Sequence, residues 1–162
     1  MRMAIEDELY WIRRVEHLTA QYIGCIDQGD LETWPQFFTE DALYRITSRE
    51  NVNQNMPAGY WYCRGRGMLR DRILSLRQAN IYEPHMYRHQ VSGVRLIGQE
   101  PEGWRFHSNF QVVRTMQDGS MSVFAVGLFN DLIVEQESVL RFKEKIVICD
   151  SSRIDTLLVI PI

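Results

Sequence analysis

The segment IYEPHMYRHQVSG, residues 81–93, concentrates side chains that could do chemistry. His85 and His89 stand four positions apart, a spacing that places two zinc ligands on one face of a helix. Pro84 directly precedes His85 and disfavours a helix through Glu83, and the apolar residues that follow indicate entry into a strand. On a strand the two histidines share a face but lie about 13 Å apart, too far to chelate one ion without a bend. The pattern therefore favours polar residues at the mouth of a strand over a metal site.

Asp131 is the sharpest anomaly, because it lies in the apolar segment MSVFAVGLFNDLIV and a buried acid must be paired or functional. The simpler prediction pairs it with an arginine at the end of the sheet, such as Arg88 or Arg114. The alternative is general acid–base catalysis inside a cavity. The other side chains that could take part in such catalysis are Tyr44, His89, His107 and Glu144.

Arginines are dense between positions 64 and 77, where Asp71 is the opposing acid. They predict either a solvated helix face or a basic surface for an acidic partner or the carboxylate of an aromatic acid. The sequence has no GxGxxG, GxxxxGK[ST] or HExxH motif and no recognisable nucleophile elbow, so it indicates neither a phosphate-binding loop nor a zinc protease site. The clustered arginines are Arg64, Arg66, Arg70, Arg72 and Arg77.

Helical elements dominate the first half of the chain. Apolar residues recur every three or four positions from Ile5 to Ile26 and predict one amphipathic helix that ends near 27–30, where Gly29 allows a left-handed cap. A short second helix is predicted over 31–38, a strand over 42–47, a long polar loop over 48–63 and a third helix over 68–79.

Strands dominate the second half. In WRFHSNFQV apolar residues alternate with polar ones, and MSVFAVGLFNDLIV is apolar on both faces, which predicts a central strand covered on both sides. LRFKEKIVI alternates again, and the intervening turns have hairpin length. The pattern predicts an α+β fold in a single domain over 1–162, with N-terminal helices packed on one face of a curved, mainly antiparallel sheet.

Composition narrows the class of protein. The 162 residues are 45% hydrophobic and 24% charged with a formal net charge of −3, which favours neither nucleic acid nor membrane as a partner. The N-terminus has no apolar signal core, and Cys25, Cys63 and Cys149 are odd in number and widely spaced. We therefore expect a cytoplasmic protein with reduced thiols and no cysteine-held metal.

Five segments in a fixed order carry a family resemblance. They are DLETWPQFFTEDALYRIT, RENVNQNMPAG, MLRDRILSLRQANIYEPHMYRHQVSG, FNDLIV and VICDSSRIDTLLVIPI. Together they resemble the β (small) subunit of aromatic-ring-hydroxylating, Rieske-type dioxygenases, and within it the group acting on aromatic carboxylates such as terephthalate, anthranilate or salicylate. The resemblance spans residues 5–162.

This resemblance implies a cystatin-like cone of the nuclear-transport-factor-two type and an accessory role in aromatic carboxylate catabolism. It implies that this chain has no catalytic residue, cofactor or metal of its own. The Rieske iron–sulfur cluster and the mononuclear iron are then expected on a catalytic α subunit, in an α₃β₃ complex built on trimers. The β subunit stabilises that assembly and influences substrate preference in some members.

Residue by residue, the resemblance marks Trp34, Phe38 and Tyr44 as packing positions. It also marks four fold-determining, interface or cone-mouth positions, and it leaves the apolar end of the chain, 157–162, suited to burial in an interface. An exposed apolar sheet face likewise predicts a homotrimer. The four positions are Arg72, Arg88, His89 and Asp131.

A second hypothesis stays open at this point. A stand-alone dehydratase, isomerase or cyclase with the same cone would use acid–base residues in its cavity. In that case Tyr44, His89 and Asp131 should converge to within about 4 Å around one pocket.

Overall fold

The computed structural model describes residues 5–79, 81–154 and 158–162. Three helices pack against one face of a six-stranded sheet whose strands run in the order β2-β1-β6-β5-β4-β3. The elements are α1 (Ile5–Asp27), β1 (Phe38–Ser48), α2 (Arg49–Asn53), β2 (Trp61–Arg64), α3 (Arg66–Gln78), β3 (His85–Glu100), β4 (Gly103–Met116), β5 (Met121–Gln136) and β6 (Val139–Cys149). The α+β class with helices before a mainly antiparallel sheet is as predicted.

Helix α1 begins with three acidic residues, which suit the positive end of the helix dipole. The predicted end is confirmed, because Gly29 adopts a φ of +77° and the Asp30 N–H donates to the Cys25 carbonyl at 3.0 Å. The buried stripe of the helix begins at Val15, whereas Ile5 and Leu9 remain 75% and 55% exposed. The sheet therefore covers only the C-terminal half of α1.

The sheet is antiparallel except where β1 pairs with β6 in parallel. The hairpins predicted between β3, β4, β5 and β6 are all present. Glu137 and Ser138 form the β5–β6 turn with φ of +52° and +66°, a twist that suits a two-residue hairpin. Consecutive long hairpins thus build the side of the cone opposite β2.

The polar stretch 48–63 is not a continuous loop as predicted. It contains α2, which Ser48 caps by accepting a hydrogen bond from the Asn51 N–H at 3.1 Å, and most of the short strand β2. Gly59 is required between them, because a Cβ there would lie 2.4 Å from the Ile46 carbonyl oxygen. The predicted second helix is also shorter, a single 3-10 turn over Trp34–Phe37, and β1 begins earlier than expected, at Phe38.

The end of the chain packs into the core of its own fold. Val159 and Ile162 are 3% and 0% exposed, and the Trp61 indole N–H donates to the Leu158 carbonyl at 2.9 Å. The expectation that this segment is buried in an interface is therefore wrong for residues 158–162, and Leu157 lies outside the described residues. Intramolecular packing removes the same apolar surface from water that an interface would remove.

Strand β5 is covered on one face only within this chain. Its outward side chains Met121, Val123 and Val126 are 72%, 59% and 42% exposed, because every helix lies on the other face of the sheet. The prediction of a strand covered on both faces is therefore not met within one chain. No helix in the described part of the chain is long and apolar enough to span a bilayer.

Candidate functional site

The centre of the cone contains a buried ion pair between neighbouring strands. Asp131 on β5 lies directly opposite Lys145 on β6, and the Lys145 Nζ donates to both carboxylate oxygens at 3.1 and 3.2 Å. The two side chains are 3% and 0% exposed. The predicted pairing of Asp131 with Arg88 or Arg114 is therefore wrong; a lysine on the adjacent strand is the nearer cation.

Three aromatic rings enclose the ammonium group of Lys145. The distances from Nζ to the ring centroids are 3.7 Å for Phe129, 4.5 Å for Phe142 and 4.6 Å for Tyr22. These faces attract a cation and replace part of its lost hydration. Burial nevertheless raises the pKa of Asp131, against the opposing effect of Lys145, and burial lowers the pKa of Lys145. Each charge is therefore tolerated only because the other is present.

Two tyrosines beside this pair hold the last residue of the chain. The hydroxyls of Tyr22 and Tyr44 donate to the Ile162 carbonyl oxygen at 2.8 and 2.9 Å, and the Ile162 N–H donates back to the Tyr44 oxygen at 3.0 Å. Burial raises the pKa of both phenols well above the ordinary value. They therefore remain protonated donors in a structural network and cannot act as bases near neutral pH.

A second buried pair lies at the mouth of the cone. Asp27, the last residue of α1, accepts the His89 backbone N–H at 2.9 Å with one oxygen and the His89 Nδ1–H at 2.6 Å with the other. The imidazole side chain is fully buried, and its Nε2 has no hydrogen-bond partner among the described residues. This bidentate contact fixes the C-terminal end of α1 to β3.

The three residues of the dehydratase hypothesis do not converge on one pocket. Tyr44 lies opposite Lys145, close to Asp131, but its hydroxyl is engaged with Ile162. His89 pairs in register with Val112 on β4, whereas Asp131 pairs with Phe106 on the same strand. Six residues of extended strand separate those two registers, about 20 Å. The structure therefore does not form the acid–base pocket that this hypothesis requires.

The histidines of the opening segment take the strand geometry that the sequence predicts. His85 and His89 lie on one face of β3 with Tyr87 between them, and the His85 ring centroid lies 5.1 Å from that of Tyr87. No group of three or more His, Cys, Asp or Glu side chains suited to holding a metal ion occurs among the described residues. The described side chains therefore do not provide a ligand set for iron or for an iron–sulfur cluster.

The four predicted interface positions divide into two kinds. Arg72 and Arg88 are exposed, and the Arg72 guanidinium lies 5.0 Å from the centroid of the Trp61 ring. His89 and Asp131 are 5% and 2% exposed, so they contact neighbours within the fold and present no surface to another chain. The predicted packing residues Trp34, Phe38 and Tyr44 are all fully buried.

Sequence reasoning missed Lys145 and Asp27. Lys145 was grouped with the polar side of LRFKEKIVI, but the strand alternation shifts between Phe142 and Glu144, where the β5–β6 register is irregular. Asp27 looked like part of a helix-ending turn. A charge in an otherwise apolar strand was the available signal, because Asp131 requires a partner that a neighbouring strand can supply.

The chain belongs to the family of ring-hydroxylating β subunits, whose model matches residues 23–156. It is 42% identical over 162 residues to the anthranilate 1,2-dioxygenase small subunit of Burkholderia cepacia, covering 100% of both chains. It is 36% identical over 149 residues to the terephthalate 1,2-dioxygenase terminal oxygenase component subunit beta 1 of Comamonas sp, covering 92% of this chain and 97% of that one.

The same relationship holds in three dimensions. A solved β subunit from Novosphingobium aromaticivorans, assigned to an aromatic-ring-hydroxylating dioxygenase, superposes with a TM-score of 0.86 at 33% identity and covers 95% of this chain and 98% of that one. These relatives confirm the family resemblance and the cone fold. They support the dioxygenase-subunit hypothesis and not the stand-alone dehydratase.

Proposed function

We propose that this chain is the non-catalytic β subunit of a hetero-oligomeric dioxygenase acting on an aromatic carboxylate. The full-length match to the anthranilate dioxygenase small subunit carries this proposal. The geometry of the cone supports it, because Asp131, Lys145 and Tyr44 are committed to one another or to the chain end and are not free for catalysis. The subunit acts in the cytoplasm, as one folded domain, in the breakdown of aromatic acids.

The redox cofactors belong to the partner in this proposal. A catalytic α subunit carries the Rieske iron–sulfur cluster and the mononuclear iron, and it activates oxygen and binds the arene. The β subunit holds α subunits in a fixed arrangement and influences substrate preference through that arrangement. Its own fold therefore has to be rigid rather than reactive.

An α₃β₃ assembly needs surfaces for self-association as well as for the partner. The outer sheet face offers apolar side chains on adjacent strands, with Met86 on β3 and Met121, Val123 and Val126 on β5. Burial of such a face by copies of the chain removes apolar surface from water. Arg88 is exposed on the same face beside Val113, where it can pair with an acidic group of a neighbouring subunit.

Co-expression with a Rieske-type α subunit tests the proposal. The isolated chain should contain no stoichiometric iron and turn over no arene, while the co-expressed chains should purify as one complex. Light scattering should give the mass of an α₃β₃ hexamer. Iron or arene turnover in the isolated chain, or failure to bind any Rieske-type partner, would contradict the proposal.

Charge on the outer sheet face should interfere with assembly without unfolding the chain. Val126→Lys places a cation on the apolar patch, and Arg88→Glu reverses a charge beside it. Both variants should weaken assembly about tenfold or more while keeping a native circular dichroism spectrum. Arg153→Glu, an exposed charge reversal at another place in the chain, is the matched control and should assemble as the wild type does.

A further inference from the structure

A pocket of about 660 Å³ opens between helix α1 and the start of strand β6. It lies on the surface of the cone, away from the Asp131–Lys145 pair and from the outer sheet face. Its size falls within the range of small-molecule sites. The residues that give it its character are Tyr10, Arg13, His17, Phe37, Val139 and Arg141.

The electrostatics of this pocket are one-sided. Arg13, Arg14, Arg141 and His17 line it, and no Asp or Glu occurs among its described lining residues, although the whole chain carries a net charge of −3. Such a concentration of one sign in a concave surface favours an anionic ligand.

The arginines differ in how strongly the protein already engages them. Arg14 is held by Glu135 at 2.6 Å, and that hydrogen bond raises the pKa of its guanidinium. Arg13 faces Glu16 only at 3.6 Å, and its side chain is 85% exposed. Arg141 donates from Nη1 to the Gln36 carbonyl oxygen. A guanidinium has five N–H donors, so Arg13 and Arg141 can both turn donors toward a carboxylate.

The floor of the pocket is apolar. Leu18 and Leu140 are 6% and 8% exposed there, and Phe37 and Tyr10 add aromatic surface. A compact inorganic anion would use the arginines but leave this floor uncovered. A neutral arene would cover the floor but leave the guanidinium groups without a partner.

We propose that this pocket binds an aromatic carboxylate, with the ring on the Leu18–Phe37–Leu140 floor and the carboxylate at Arg13 and Arg141. The site gives the subunit a ligand of its own, separate from the active site expected on the α subunit. It goes beyond the proposed function, since assembly requires no ligand on this chain. An anionic segment of the partner is the competing occupant, and the test separates the two.

Saturation-transfer NMR on the isolated full chain measures this binding, with benzoate as the probe and benzamide as its neutral analogue. Benzoate should give saturable binding that weakens as salt is added, and benzamide should bind much more weakly. Arg13→Glu should weaken benzoate binding about tenfold or more, because it replaces a charge-assisted contact with repulsion. Arg153→Glu, remote from the pocket in the chain, should leave the benzoate affinity unchanged.

A second variant guards against loss of fold. Val139 is 48% exposed at the rim, and Val139→Trp should fill the pocket and abolish benzoate binding without removing any core contact. No saturable benzoate binding by the wild type, equal binding of benzamide, or unchanged affinity in Arg13→Glu would overturn the proposal. So would weakened assembly with the α subunit in Arg13→Glu at unchanged benzoate affinity, since the pocket would then be a partner site. None of these outcomes depends on whether Arg88→Glu disrupts the complex.

Discussion

Replacing Lys145 with methionine removes the ammonium group at the centre of the cone and keeps most of the side-chain volume. The variant leaves Asp131 buried at 3% side-chain exposure with no cation within hydrogen-bond reach. The aromatic faces of Phe129 and Phe142, which now lie near a positive charge, would surround a lone carboxyl group. The perturbation is therefore electrostatic rather than a cavity.

Removing one partner of a buried ion pair costs about 3–5 kcal/mol, because the remaining charge has no compensation. In a chain of this size each kcal/mol lowers the melting temperature by roughly 2–4 °C, so Lys145→Met should melt roughly 6–20 °C below the wild type. The double variant Asp131→Leu/Lys145→Met should behave differently. Burial raises the pKa of Asp131 and lowers that of Lys145, so the site disfavours both charges. Removing both should restore stability to within about 1 kcal/mol of the wild type.

The pH dependence gives a separate signature. Lys145 lowers the pKa of Asp131, so in Lys145→Met burial should raise that pKa further above its unfolded value. A raised carboxyl pKa contributes stability at low pH, and that contribution is lost as pH rises through the folded pKa. The single variant should therefore gain stability relative to the wild type as the pH is lowered from neutrality.

Urea unfolding followed by circular dichroism, at fixed protein concentration and several pH values, measures all three effects. A single transition would also support the proposal of one domain. A loss below about 1 kcal/mol in Lys145→Met would show that the pair is not a buried ion pair in solution. A double variant as unstable as the sum of the single variants would show that packing, not charge, determines the cost.

Three further predictions concern the chain end, the α1–β3 contact and the thiols. Ile162→Ala should cost about 2–5 kcal/mol by urea unfolding, against less than about 0.5 kcal/mol for Ile81→Ala, whose side chain is 96% exposed; equal costs would contradict core burial of the chain end. Asp27→Ala should cost about 1–3 kcal/mol and speed hydrogen exchange at the His89 amide, and an unchanged exchange rate would show that the contact does not persist. The buried thiols are Cys25, Cys63 and Cys149. Burial raises the pKa of the first to about 11 and that of the last to about 12, so Ellman's reagent at about pH 8 should label none in the native chain and all in urea. That stabilising contribution is present below the ordinary thiol pKa of 9.0 and is lost as pH rises above it, and rapid native labelling would refute the burial.

The elements that the sequence predicts best are those with a regular local period. The long stripe of α1 and the hairpin strands β3 to β6 follow from spacing alone, because one face of each is consistently apolar. The stretch 48–63 fails as a prediction because α2 is one turn fixed by a serine cap, and β2 is four residues long. Such short elements depend on contacts with β1 that no local pattern records.

The interior polar residues depend on pairings across the sheet. Asp27 and His89 meet across 62 positions of sequence, and Asp131 and Lys145 meet only because β5 and β6 pair in one particular register. An irregularity in that register reverses which side of β6 faces inward, and it carries Lys145 into the core. A period-two pattern cannot reveal a shift of this kind, so an inward lysine reads as an outward one.

The distribution of free hydrogen-bonding capacity separates a scaffold from an enzyme with the same cone. An acid–base catalyst needs a titratable group with at least one atom directed at a substrate space. Both oxygens of Asp131 accept from Lys145, and the hydroxyls of Tyr22 and Tyr44 are fixed on the backbone of Ile162. The cone centre is thus closed by its own polar network, whereas the unsatisfied apolar and cationic surfaces lie outside it, on the sheet face and in the arginine-lined pocket. Selection for binding other molecules at the surface, with a rigid and internally satisfied core, is what an assembly subunit requires.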